Sequence, residues 1–312
     1  MGEATRSLSE GKFFLNISKK IKKANKQFWK YVDRALANAY NKIKFGNLPI
    51  DNHKILMLTS RGTYNCHPRA IADEIIRQNL PYEIVWVVRK ENIDNHEWYP
   101  ENLKLVQRGS YEFYEEAATS KVWIDNSVTF SYLFAKKRKE QVLFETWHGS
   151  FGLKKFDASV NNHKYWVKKA YQEGKQTDYC LTNCKFEENL FKGTFWENTE
   201  MLPYGHPRND ILFTSDTEET KKLVASIRKK YHLKDDMHVL LYAPTYRDVQ
   251  NAGLYDLDYD AVVEALEERF GGKWVIMVRY HFLDRKLANL DMTNPNIRNA
   301  TDYPDIQDLM LI

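Results

Sequence analysis

The chain has 312 residues, 43% hydrophobic, 28% charged and 14% aromatic, with 13 glycines and 9 prolines. That balance excludes a disordered, collagen-like or Pro-rich linker protein, and the length fits two domains. The net charge of +4 is uneven: residues 11–45 hold ten Lys or Arg against one acid, Asp33, for +9, so the remainder is net negative and basicity gives no argument for nucleic-acid binding by the body of the protein.

Residues 11–45 also carry helical order. Phe14, Ile17, Ile21, Ala24, Phe28, Tyr31, Ala35 and Ala39 recur at steps of three and four, while Lys19, Lys20, Lys22, Lys23, Lys26 and Lys30 cover most of the other face. A basic amphipathic helix with aromatics is the pattern of a segment lying on an anionic membrane surface. The alternatives are docking of the apolar face on the chain's own core, or nucleic-acid binding, for which no base-reading motif is present. Apolar runs elsewhere, such as Ile84–Val88, stay near five residues, far short of the ~18–20 a spanning helix needs. The start, Met1-Gly2-Glu3-Ala4, lacks the apolar core of a secretory signal, and Cys66, Cys180 and Cys184 cannot build a disulfide framework. A reducing, cytoplasmic setting is expected.

Past Gly46 strands and helices alternate. Strands are expected at 53–59, 82–89, 103–106, 122–125, 142–146, 179–182 and 201–203, with helices over 69–78 and 111–119. After a helix over 218–231 come strands at 238–243, 273–279 and 296–298, with a helix over 258–270 between the first two and Gly271-Gly272 as its ending turn. This order predicts two doubly wound, Rossmann-like α/β domains, 49–205 and 206–312, preceded by the basic segment 1–48. A helix start at Pro304-Asp305 lies close to Ile312, so the second domain is expected to be incomplete, with too few strands to cover its edges.

Ligands of such sheets bind beyond the carboxyl ends of the strands. Four segments there carry chemistry: Trp147-His148-Gly149-Ser150 followed by Lys154-Lys155; Gly205-His206-Pro207-Arg208-Asn209-Asp210; Pro244-Thr245-Tyr246-Arg247; and Arg279-Tyr280-His281. Three imidazoles and three guanidiniums with few carboxylates suit an anion, most naturally phosphate or pyrophosphate, and one histidine can act as general base. Gly149 and Gly205 would let the backbone approach the ligand. Each feature alone is weak, since a strand-end histidine is commonly structural and a single arginine commonly a surface ion pair. Neither a Walker loop nor a Gly-x-Ser-x-Gly elbow is present, and Cys180-x-x-x-Cys184 has the wrong spacing for zinc, so no metal is expected.

Trp147-His148-Gly149, Gly205-His206-Pro207-Arg208-Asn209-Asp210, Tyr242-Ala243-Pro244-Thr245-Tyr246-Arg247 and Arg279-Tyr280-His281 together resemble the CDP-glycerol glycerophosphotransferase family of teichoic acid synthesis, over residues 54–312 in the family's order. The resemblance implies a GT-B-like fold in which acceptor and CDP-alditol domains face each other across a cleft, with peripheral attachment to the inner face of a Gram-positive cell membrane. It implies transfer of glycerol phosphate (or ribitol phosphate) from CDP-glycerol to a lipid-linked wall-polymer acceptor, with release of CMP and no cofactor. His148 would be the base and His206 and Arg208 would face the donor pyrophosphate. Thr245 and Arg247 would support it, with Arg279 and His281 near the donor. A homo-oligomer is compatible, and nucleic acid is not an expected partner.

The segment Ser150–Lys154 is one residue longer than the family's usual loop, and the family continues beyond the position of Ile312 into an Asp-Tyr-Ser-Ser segment. The alternatives are a nucleotide-sugar glycosyltransferase of the same architecture, or an inactive membrane-associated fragment.

Overall fold

The structure, a computed structural model, describes residues 43–133, 135–150, 164–214, 216–245, 257–281 and 290–312. The basic segment up to residue 42, the Lys154-Lys155 pair and Arg247 lie outside the described residues. The chain forms two compact units. One runs to Gly62 and resumes over Ile75–Gly205; the other comprises Thr63–Glu74 and His206–Ile312. The expected division at 205/206 therefore has one difference, since most of the helix α1 (Cys66–Arg77) groups with the second unit.

The first unit is built on an all-parallel seven-stranded sheet. Its strands are β1 (Asp51–Leu58), β2 (Glu83–Val88), β3 (Lys104–Gln107), β4 (Ser120–Asp125), β5 (Val142–Glu145), β6 (Tyr179–Leu181) and β7 (Glu200–Leu202), in the order β3-β2-β1-β4-β5-β6-β7. The order reverses between β1 and β4, which makes that carboxyl edge a topological switch point. The run Ile84–Val88 is buried at every position, because helices cover both faces of a parallel sheet and leave no solvent face for alternation.

On one face Leu56, Leu58, Val85, Val87, Phe113 and Trp123 pack together, and Trp123 stacks on Phe130 with centroids 4.5 Å apart. Trp123 is fully buried, and its indole N–H donates to the Ala117 carbonyl at 3.0 Å, so its area is sequestered without an orphaned donor. Further along the same face, towards β6 and β7, Ala170, Cys180, Phe191, Phe195 and Trp196 pack beneath Trp147. The helix α2 (Tyr111–Thr119), which brings Phe113 and Ala117 to the Leu56–Trp123 cluster, begins with Ser110, whose hydroxyl accepts from the Phe113 N–H, an N-cap. Lys44 and Phe45 also dock here: Phe45 is buried edge-to-face against Tyr111, and the Lys44 ammonium lies 4.2 Å from the same ring. The basic segment therefore gives way to folded core before Gly46, earlier than the expected boundary at 48.

The second unit holds a parallel sheet of β8 (Met237–Tyr242), β9 (Lys273–Val278) and β10 (Ile297–Asn299), in the order β10-β9-β8. Among the later helices, α3 (Thr129–Tyr132), α4 (Lys164–Gly174) and α5 (Lys185–Lys192) belong to the first unit; α6 (Glu218–Lys230), α7 (Tyr259–Phe270) and α8 (Ile306–Leu309) belong to the second. The helix α7 is capped by Asp258 and ends at Gly271, whose φ of 70° few other residues accept. Val263, Ile276, Val278, Tyr280 and Ile297 form the core of this unit.

Candidate active site

In the first unit the chemistry gathers where β4 and β5 end. Both strands finish an apolar run with an acid, and the parallel register places Asp125 beside Glu145. Thr146 continues the ladder by donating its N–H to the Asp125 carbonyl at 2.8 Å. The chain then turns sharply: Trp147 adopts a φ of 52°, a left-handed conformation costing roughly 1–2 kcal/mol for a residue with a Cβ. The turn buries the Trp147 ring against Trp196, with centroids 5.3 Å apart, and leaves His148 exposed.

The His148 ring lies against Trp147, tilted by 35° with centroids 4.4 Å apart, and its Nδ1 lies 2.5 Å from the Asn126 carbonyl. A carbonyl only accepts, so Nδ1 carries the hydrogen and Nε2 is the basic nitrogen. The strained position of this loop is Trp147 rather than Gly149. A Cβ at Gly149 would meet the Trp147 indole at ordinary distances, 3.6 Å to Nε1 and 4.0 Å to Cδ1.

Three carboxyl groups lie buried below this loop, none of them singled out by the sequence reading: Asp125, Glu145 and Glu173, all with no exposed surface. Burial, then the neighbouring Glu173, pushes Asp125 up to about 8. Burial pushes Glu173 up to about 7, and burial followed by Asp125 pushes Glu145 well above the usual range. For Asp125 and Glu145 the signal in the sequence was an acid ending an otherwise apolar strand, Val-Trp-Ile-Asp and Val-Leu-Phe-Glu, whereas Glu173 lies on the helix α4.

The Gly205–Asp210 segment passes from the first unit into the second, where His206 takes the N-cap position of a 3-10 helix, Pro207–Phe213, with Pro207 in its first turn. Gly205, belonging to the first unit, takes a φ of 89° with open space where a Cβ would lie. His206 pairs with a histidine the sequence reading passed over: the His67 and His206 rings are 5.1 Å apart between centroids. His67 Nδ1 accepts from the Arg208 backbone N–H at 3.5 Å, and an Arg208 guanidinium N–H points to Cys66 Sγ at 3.5 Å. His206 and Arg208 are thus held together on the first turn of α1.

That turn is itself anchored by a buried ion cluster. Arg69 donates to Asp308 at 2.8 and 2.9 Å and to Asp305 at 3.3 Å, while the Cys66 N–H donates to Asp305 at 3.1 Å. Burial works against the Arg69 cation, but Asp308, Asp305 and Asp73 outweigh it and hold its pKa above the usual range.

Thr245 is exposed just past β8. Arg279 follows β9, and its guanidinium donates to the Tyr303 carbonyl at 3.2 Å, with the Pro304 carbonyl at 3.5 Å. It therefore braces the approach to α8 as well as lying at the strand end. Burial lowers its pKa, with Asp305 and Tyr231 opposing. His281 is partly buried beside Tyr280. The structure thus groups His206 with Arg208, and lines Thr245, Arg279 and His281 along the carboxyl edge of the second sheet; His148 belongs to the first unit. Among the described residues no cluster of His, Cys, Asp or Glu has the arrangement of a metal site.

Residues 40–312 match the family described as CDP-glycerol:poly(glycerophosphate) glycerophosphotransferase. Among curated proteins the chain is 25% identical over 303 residues to the teichoic acid poly(glycerol phosphate) polymerase of Bacillus subtilis, covering 94% of this chain and 39% of that protein. It is 27% identical over 259 residues to the teichoic acid glycerol-phosphate transferase of Staphylococcus aureus, covering 80% of this chain and 64% of that one. The chain thus spans between about two-fifths and two-thirds of the length of these relatives. The solved structure of the wall teichoic acid polymerase TagF superposes with a TM-score of 0.69 at 24% identity, covering 89% of this chain and 68% of that one. That likeness shows the fold, a GT-B-like α/β architecture.

Proposed function

The chain belongs to the CDP-glycerol:poly(glycerophosphate) glycerophosphotransferase family, and we propose that it transfers glycerol phosphate from CDP-glycerol to a hydroxyl of a lipid-linked teichoic acid acceptor, releasing CMP. The acceptor oxygen attacks the β-phosphorus; the new P–O bond forms as the bond to the bridging oxygen breaks, CMP leaves, and the hydroxyl proton passes to His148 Nε2. Charge in this transition state spreads over phosphoryl oxygens, so positioned cations and donors supply much of the stabilisation. His206 and Arg208 serve the donor pyrophosphate, with Thr245, Arg247, Arg279 and His281 in support. The protein works peripherally at the inner face of the membrane, where residues 11–42, the basic segment short of the docked Lys44 and Phe45, meet anionic lipid.

The observation that carries this reading is the His148–Asn126 contact, which leaves Nε2 basic on an exposed ring at the carboxyl edge of the sheet. Two relatives with related names, a polymerase and a transferase of glycerol phosphate, support the substrate class. The test is release of CMP from CDP-glycerol in the presence of a soluble acceptor bearing a terminal glycerol phosphate. His148→Ala should lower turnover by ~10²–10⁴-fold, the usual worth of a general base, while CDP-glycerol affinity changes little. Donor binding that collapses with turnover would make His148 a phosphate ligand instead. Release of a nucleoside diphosphate from a nucleotide sugar would mark a glycosyltransferase.

A further inference from the structure

The imidazole of His148 is held by two stretches of backbone, and each is tied to its own buried acid. Asp125 Oδ1 accepts from the N–H groups of Asn126 at 2.8 Å and Ser127 at 3.1 Å, and its Oδ2 accepts from Thr129 at 2.8 Å. Those three bonds fix the turn that presents the Asn126 carbonyl to His148 Nδ1. Glu145 Oε1 accepts from the Trp147 N–H at 2.7 Å, holding the left-handed residue that aims the histidine. Glu173 closes the far end of the first stretch, accepting from the Phe130 and Ser131 N–H groups at 3.2 and 2.6 Å.

An irregular buried backbone must find acceptors for its N–H groups, and a carboxyl group supplies two oxygens at one point. Apolar residues could fill this volume but could not hold these turns. We propose that Asp125 and Glu145 are positioning residues that lock His148 in its Nδ1–H tautomer by fixing the Asn126 carbonyl and the Trp147 N–H. The idea rests on the reading of His148 as the base and deepens it.

The charged surroundings are consistent. Asp125 faces Glu173 and Glu145, and feels Arg108 from beyond β3; Glu145 also faces Cys180 on β6, whose thiol burial and then Glu145 and Glu187 push upward. Glu145 makes its bond through one oxygen while Oε2 has no partner among the described residues. A glutamine amide oxygen can therefore take over that bond.

The test is nitrogen NMR of the full chain labelled with 15N-histidine, with His148 identified by its loss in His148→Gln. At a pH where the ring is neutral, wild type should show a protonated Nδ1 and an unprotonated Nε2. Glu145→Leu fills the space without an acceptor and should give a mixture of tautomers, with CMP release falling on the order of 10²-fold and the KM for CDP-glycerol little changed. Glu145→Gln should restore both the tautomer and the rate. If leucine at 145 prevents folding, Asp125→Asn gives the reading, because it replaces one accepting oxygen with a donor and should mix the tautomers. A wild-type tautomer in a folded Glu145→Leu, or failing that in Asp125→Asn, overturns the proposal whatever the rate does. Loss of the Nδ1–H form in the variants, with His148→Ala still turning over at the wild-type rate, would support the positioning while removing His148 as the base.

Discussion

At the scale of single residues, Arg69 and Arg208 do opposite work with the same guanidinium. Arg69 is spent on protein carboxylates: its partners Asp305 and Asp308 keep only 6% of their side-chain surface exposed. Removing it leaves two buried acids without their cation, a change that costs about 3–5 kcal/mol in comparable sites. Arg69→Met should show that loss in urea unfolding. Asp308 already titrates above the usual range, because burial outweighs Arg69, and the variant should raise it further. A carboxyl whose folded pKa exceeds its unfolded one binds more protons when folded, so stability falls as pH rises through that interval. Arg69→Met should therefore lose more stability at pH 7 than at pH 4.5, and an equal loss at both would mean Asp308 takes no part. Arg208, in contrast, points a guanidinium N–H to the Cys66 thiol and lies beside the His67–His206 ring pair. Arg208→Ala should weaken CDP-glycerol binding about 10–100-fold, the worth of a charge-assisted phosphate contact. Titration calorimetry with unchanged affinity would remove Arg208 from the donor site.

At the scale of elements, the strand ends behave as a unit. Glu173 and Asp125 titrate at about 7 and about 8, against roughly 4 in an unfolded chain. Between those values the folded state holds more protons, so stability should fall as pH climbs from about 5 to about 8. Glu145→Gln removes one member of the coupled set and should flatten that slope while keeping the Trp147 bond. Urea midpoints at pH 5.5 and 8.5 check this, and a slope identical to wild type would place the pH response elsewhere.

These same elements show how far the sequence could be read. The ten strands among the described residues were legible, because a buried parallel strand must be an apolar run, as Val85–Val88 and Val275–Val278 are. The histidine and arginine segments were legible as strand-end loops. The start of α1 was expected at Arg69, whereas it begins at Cys66 in a left-handed conformation, with its N–H on Asp305, 239 residues away. No local pattern encodes a contact at that separation. The carboxyl cluster was missed for a related reason. An acid ending an apolar strand reads as a solvent-facing boundary, and only pairing β4 with β5 and packing α4 against α3 brings Asp125, Glu145 and Glu173 under one loop. The Pro207–Phe213 helix went unread too, since its helical geometry is too short for a periodicity to show.

For the whole molecule, the charge distribution sets the last expectation. Residues 11–42 carry +8, with nine Lys or Arg and Asp33, while the rest is net negative. An anionic membrane would attract the first part and repel the second, each basic residue near the surface contributing about 1 kcal/mol. Phe45 marks where a deletion must stop, because it is 4% exposed and packed on Tyr111. Removing residues 1–42 should leave the folded units intact and abolish sedimentation with anionic vesicles. Binding of the full chain should weaken as salt rises from about 0.05 to 0.5 M, since the Debye length shrinks from about 14 to about 4 Å. Among the described residues no helix is long and apolar enough to cross a membrane. A soluble acceptor should be used about equally by the full and shortened chains, because a segment whose part is only to concentrate the chain at a surface would leave phosphoryl transfer untouched. A shortened chain that still sediments would place the lipid contact on the folded units. One that unfolds would show that residues 1–42 continue the packing begun at Phe45, and that their apolar stripe faces protein rather than lipid.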